Sequence, residues 1–190
     1  MNWILASGSP RRRELLEMLG VPDLTIRPAT GPERATPGAG PEQTVRELSL
    51  HKAQEVAQTC APEDIIIAAD TIVYLDGAIL GKPKDYDDAV RMLAALSGRE
   101  HIVYTGVAVL RGGELRQAAE HTAVRFRTLT PAEIERYIAT GEPMDKAGAY
   151  GIQGRGALFV AHLDGDYFNV MGLPLCRLGQ LLNELGVELL

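Results

Sequence analysis

An apolar segment, Trp3-Ile4-Leu5-Ala6, runs into Ser7-Gly8-Ser9-Pro10 and then three consecutive arginines, Arg11, Arg12 and Arg13. Serine is a residue type that caps helices and proline suits a first turn, so the arginines fall where a helix begins. Cations there oppose the helix dipole, and a local rule broken at an otherwise well-formed helix start points to function. Main-chain amides, small residues that let a backbone approach, and guanidinium forks all suit phosphate. The plainer alternative is a solvated surface helix. Leu15, Leu16 and Leu19 mark the buried stripe; Arg12 projects over the same side, whereas Arg13 lies at its flank.

Asp70 stands in the most apolar stretch of the chain, directly after Ile65-Ile66-Ile67-Ala68-Ala69. Either a strand ends at Ala69 and Asp70 caps a loop, or the carboxylate projects into a cleft crossing a sheet. Ile72-Val73-Tyr74 resumes the strand at once, which favours the second. Ionised carboxylates are rarely buried unless paired or working. A carboxylate there either orients and deprotonates a water or holds Mg2+ against phosphates. Lys52, in a helix after His51, and Lys82, in the turn Gly81-Lys82-Pro83-Lys84, are point charges that suit a triphosphate, or else solvated surface lysines. Glu33, in a Pro/Gly-rich loop over 28–41, is a candidate partner of Asp70 in metal binding. The stretch 145–154 has too many glycines for a helix. It is either a tightly packed loop or a binding loop in which Gln153 offers a donor and an acceptor to the edge of uracil or thymine.

These residues need a scaffold, and 190 residues suffice for a proper core as one domain or two packed lobes. The expected organisation is one domain spanning 1–190. The formal net charge of -6 argues against general affinity for nucleic acid or anionic membrane, so a polyanion site must be a local basic pocket for a small phosphorylated ligand. Cys60 and Cys176 form no CxxC pair and read as reduced thiols of a cytoplasmic protein. No segment approaches membrane-spanning length, and the four histidines lack paired-ligand spacing, so any metal is a hard ion held by oxygens.

Along the chain, strands and helices alternate. A short strand at Thr25-Ile26-Arg27 precedes the 28–41 loop. A helix is predicted over 41–58, a strand over 65–75 turning at Asp76-Gly77, and a helix over 85–96. A strand over 102–110 turns at 111–114 into a long strand ending near 127. Thr130-Pro131-Ala132-Glu133 is a capping box whose helix runs to about residue 140 and stops at Gly141. A loop over 147–156, a strand over 158–163 and a helix over 174–185 complete the chain. Hairpins and helical crossovers together imply an α/β fold with a mixed sheet.

Taken in order, Leu5-Ala6-Ser7-Gly8-Ser9-Pro10-Arg11-Arg12, His51-Lys52-Ala53, Ala69-Asp70-Thr71, Gly81-Lys82-Pro83, Ser97-Gly98, Tyr104-Thr105-Gly106 and the run from Asp145 through Gln153 to Gly154 resemble the Maf-like nucleoside triphosphate pyrophosphatases, or septum-formation inhibitors. The resemblance spans nearly the whole chain. It implies hydrolysis between the α and β phosphates, giving the monophosphate and pyrophosphate, and points to the branch acting on dTTP and UTP. In that branch the proton-accepting aspartate matches Asp70, the specificity positions match Arg12, Thr71 and Gln153, and phosphate contacts match Ser7, Arg13, Lys52 and Lys82. The branch preferring 7-methyl-GTP lacks the Tyr-Gly-Ile-Gln pattern. The resemblance further implies an elongated mixed β-sheet flanked by helices, two lobes with an active-site cleft between them, a homodimer, and a divalent cation (Mg2+ or Mn2+) held by Asp70 and Glu33. One region departs: where the family usually shows an acidic pair, this chain has Thr30-Gly31-Pro32-Glu33. The alternatives are the same reaction on a modified purine, or a non-catalytic nucleotide-binding inhibitor of septum formation.

Overall fold

The apolar run around Asp70 forms one uninterrupted strand, Ile65–Leu75, with Asp70 buried inside it. The computed structural model, which describes residues 1–190, arranges the chain as β1 (Trp3–Leu5), α1 (Pro10–Met18), β2 (Thr25–Ile26), α2 (Pro41–Ala57), β3 (Ile65–Leu75), β4 (Ala78–Leu80), α3 (Tyr86–Leu96), β5 (Glu100–Arg111), β6 (Glu114–Phe126), α4 (Pro131–Ile138), β7 (Val160–Asp164), α5 (Tyr167–Met171) and α6 (Leu175–Glu184). The seven strands form one mixed sheet in the order β2-β1-β3-β5-β6-β7, with β4 paired to β3. β1 is parallel to both β2 and β3, while β3–β4 and β6–β7 are antiparallel. This is the α/β architecture with a mixed sheet and flanking helices that the sequence implies.

Local signals account for most element ends. Asp76 and Gly77 both adopt positive φ at the β3–β4 turn, as a two-residue hairpin requires. Asp85 caps α3 by accepting from the Asp88 amide, and Thr130 and Glu133 form a reciprocal capping box on α4. Ser9 holds the N-cap position of α1, but its hydroxyl makes no capping bond; the Ser9 amide instead donates to Ser7 Oγ. The region expected as loop over 147–156 carries two short 3-10 turns, Ala147–Ala149 and the start of Arg155–Phe159, and a third turn, Glu142–Asp145, precedes it. The short helix α5 was not legible in the sequence.

The chain divides into two units. The first comprises Met1–Asp70, Thr105–Glu120 and Gly172–Leu190; the second comprises Thr71–Tyr104 and His121–Met171. In the first, α2 packs Ala53 and Val56 against Ile4, Ala6, Ile66, Ala68 and Ala108 of the sheet. Gly106 permits this approach, because a Cβ there would overlap the Val45 carbonyl of α2. In the second, α3 and α4 cover Val73, Leu75, Val103, Val124 and Phe126.

Candidate active site

Successive strand residues face opposite sides of a sheet, so Asp70 shares a face with Ile66 and Ala68, the face that α2 covers. Lys52 lies four residues after Leu48 and four before Val56, on the buried stripe of α2, and this brings its ammonium over Asp70. Lys52 Nζ donates to Asp70 Oδ1, and it also pairs with Glu33 Oε1 at 2.7 Å. The position of Lys52 on the apolar stripe is the sequence signal that separates it from a solvated lysine. One ammonium thus joins two carboxylates drawn from a strand and a loop.

Glu33 reaches this point because α2 straps its loop down on either side. Glu55 accepts from the Thr30 and Gly31 amides at 2.7 and 3.0 Å, and Glu47 accepts from the Thr36 amide at 2.7 Å. A Cβ on Gly31 would collide with the Glu55 carboxylate. Neither Glu47 nor Glu55 stands out in the sequence, since glutamates on helix surfaces are common.

Arg12 is half-buried, as its place over the leucine stripe implies. Its Nε donates to the Gly172 carbonyl at 2.7 Å and its Nη1 to Ser7 Oγ at 2.9 Å. Burial pulls the guanidinium down to about 10, against the attraction of Asp70 and Glu33, so it remains a cation at neutral pH. Ser7 is itself buried. For Asp70, burial pushes the carboxyl above its ordinary range and outweighs the opposing pull of Lys52 and Arg12. The first unit therefore gathers Ser7, Arg12, Glu33, Lys52 and Asp70. Arg13 stands apart from this group: it is exposed and pairs with Glu17 one turn along α1 at 2.6 Å.

Thr71, Lys82 and Gln153 belong to the second unit. Thr71 follows Asp70 on β3 and projects to the opposite face. Lys82 and Gln153 are both exposed. The segments that carry them are joined through the Gly148 amide, which donates to the Gly81 carbonyl at 3.0 Å. A Cβ on Gly148 would strike Val73, and its φ of 67° suits glycine, so this junction depends on that residue.

The donor set suits a hard divalent ion. Asp70 and Glu33 offer carboxylate oxygens at one point, and no third histidine, cysteine, aspartate or glutamate completes a protein-only cage. Mg2+ is commonly held in this way, by one or two carboxylates together with substrate phosphates.

The sequence model of the family described as Maf-like protein matches residues 2–185. The chain belongs to the Maf-like family. Among curated Maf-like relatives, a Moorella thermoacetica protein named dTTP/UTP pyrophosphatase is 53% identical over 187 residues, covering 97% of this chain and 95% of that protein. A Symbiobacterium thermophilum protein of the same name is 51% identical over 183 residues, covering 96% and 93%. A solved structure of a HAM1 protein from Coxiella burnetii superposes with a TM-score of 0.53 at 16% identity, over 97% of this chain and 99% of that one, a likeness of fold alone. No helix is long and apolar enough to cross a membrane.

Proposed function

We infer that this Maf-like chain hydrolyses dTTP and UTP to the nucleoside monophosphate and pyrophosphate. The observation that carries the chemistry is the buried Asp70 carboxylate, fastened by Lys52 beside Arg12 and Glu33. Full-length relatives at about half identity, named for that activity, supply the substrate.

In the reaction a water oxygen forms a bond to the α-phosphorus, the bridging bond to the β-phosphate breaks, and pyrophosphate leaves. The water's proton passes to Asp70, whose affinity for protons burial raises, as suits a general base. Asp70 and Glu33 would hold a divalent cation, which neutralises phosphate charge when bound. Lys52 and Arg12 offset charge that develops on the phosphates, and the partner hydroxyl of Ser7 keeps the Arg12 fork aimed. Arg13 and Lys82 contact the phosphates on this reading. The Arg13–Glu17 pair is exposed and screened by solvent, so it exchanges readily for a phosphate. Arg12, Thr71 and Gln153 select the base. The free cysteines fit a cytoplasmic setting, and the family resemblance carries a homodimer, whose mass light scattering reads directly.

The test is a panel of nucleoside triphosphates with separate detection of pyrophosphate and orthophosphate. The expected result is pyrophosphate from dTTP and UTP in preference to purine triphosphates, and no turnover by Asp70→Asn although nucleotide still binds. Orthophosphate as the first product, or undiminished turnover by Asp70→Asn, would refute the assignment.

A further inference from the structure

Gln153 sits at the tip of a segment whose glycines, Gly151, Gly154 and Gly156, all lie where a Cβ would collide with a neighbour. For Gly154 that neighbour is the carboxylate of Glu142, and the Glu142 contacts are specific. Its Oε2 accepts from the Arg155 amide at 2.9 Å, and its Oε1 accepts from the Gly156 amide at 3.2 Å and from the Tyr137 hydroxyl at 2.8 Å. The buried Tyr137 hydroxyl in turn accepts from the Gly151 amide at 3.1 Å. One carboxylate therefore fastens the main chain two and three residues after Gln153 directly, and two residues before it through a tyrosine. Burial acts to raise the Glu142 carboxyl, but the Arg155, Tyr137 and Gly156 donors together hold it below its usual range.

We propose that Glu142, acting with Tyr137, is a positioning residue for base selection that sets where the Gln153 amide meets the pyrimidine. This rests on the reading of Gln153 as the base-reading residue. The physical need for such a device is plain. A glutamine amide carries a donor and an acceptor side by side, and it matches the thymine ring N–H and a neighbouring carbonyl only where both of its atoms reach hydrogen-bond distance. Residue type alone therefore does not secure the match, which depends on a fixed placement of the segment. A glycine-rich segment without an anchor would have to order on binding, at a cost in conformational entropy, and would leave that placement loose. Hydrogen bonds to an ionised carboxylate are the strong kind of anchor.

The test measures kcat and KM for dTTP and dCTP on the full chain with Mg2+, in the wild type and in Glu142→Ala, Glu142→Gln, Tyr137→Phe, Gln153→Ala and the Glu142→Ala/Gln153→Ala pair. Expected is a fall of about tenfold or more in the dTTP/dCTP ratio of kcat/KM for both Glu142→Ala and Gln153→Ala. The fall should come chiefly from KM for dTTP, and the double variant should be no worse than either single one. Tyr137→Phe and Glu142→Gln, which keep most of the packing, should lose less. Faster hydrogen exchange at the 151–156 amides in Glu142→Ala should accompany the fall. A ratio within twofold of wild type in Glu142→Ala, with dTTP and dCTP slowed equally or only the melting temperature lowered, would overturn the proposal while leaving Gln153 as base reader. Should Glu142→Ala fail to fold, unchanged ratios in both Glu142→Gln and Tyr137→Phe would overturn it. An unchanged ratio in Gln153→Ala would instead remove the base-reading assignment itself, and the proposal with it.

Discussion

At the scale of single residues, the protein holds two titratable groups against the solvation they would have in water, with opposite consequences. Asp70 is an acid whose charge burial disfavours, and in the proposed reaction it is the proton acceptor. Asp70→Asn removes the buried charge while keeping the shape, so the inactive variant is expected to melt at or above the wild-type temperature, as functional sites trade stability for activity. A large loss of stability in that variant would mean that Asp70 serves the fold rather than the reaction. His101 is the contrary case. It is 2% exposed, packed edge-on to Phe126 and Tyr150, with Nε2 bonded to the Tyr150 hydroxyl at 2.8 Å. Burial pushes the imidazole down to about 4, from an ordinary value of 6.5. Between those values the unfolded chain binds a proton that the native chain does not. The neutral histidine's contribution is therefore complete above pH 6.5 and is lost as pH falls toward 4, amounting to about 3 kcal/mol. Urea unfolding at pH 7 and pH 4.5 should show a steeper loss in the wild type than in His101→Gln, since the carboxylates are common to both. Parallel losses would show that His101 is protonated in the native state.

At the scale of elements, α2 does the positioning. Its buried stripe puts Lys52 on Asp70, its two glutamates strap the Glu33 loop, and its backbone presses against β5 at Gly106. The contact at Gly106 is with main chain, which cannot turn aside as a side chain would. Gly106→Ala must therefore push α2 away from the sheet. Overpacking of this kind costs on the order of 2 kcal/mol or more. Because Lys52 and both straps ride on α2, activity should fall by more than the lost stability explains at temperatures where the variant is still folded. Chemical denaturation together with kcat measured well below the melting temperature checks both parts. A variant that is destabilised yet fully active when folded would show that α2 has slack. The α2 stripe was legible in the spacing of Val45, Leu48, Ala53 and Val56. The straps were not, because a glutamate that holds a loop has the same sequence appearance as one that faces water.

At the scale of the whole molecule, a nucleotide that binds only the folded chain stabilises it by mass action. With the inactive Asp70→Asn protein, dTTP and Mg2+ at a hundred times Kd should add about 2.7 kcal/mol. For a chain of this length that raises the melting temperature by roughly 5–10 °C. dATP at the same concentration should give a clearly smaller shift, and equal shifts would count against base selection. What sequence alone determined is what short-range chemistry and periodicity determine. The β3–β4 hairpin follows from Asp76-Gly77, the start of α4 from Thr130 and Glu133, and Asp70 is marked by an acid set in an apolar strand. The family, too, was legible in ordered motifs. What only the tertiary structure decided are contacts between residues far apart in the chain: Lys52 joining Glu33 to Asp70, Arg12 on the Gly172 carbonyl, and Glu142 inside the turn that carries Gln153. The reason is that a charged side chain's partner is set by where packing brings two segments together. Neither segment's own composition records that meeting.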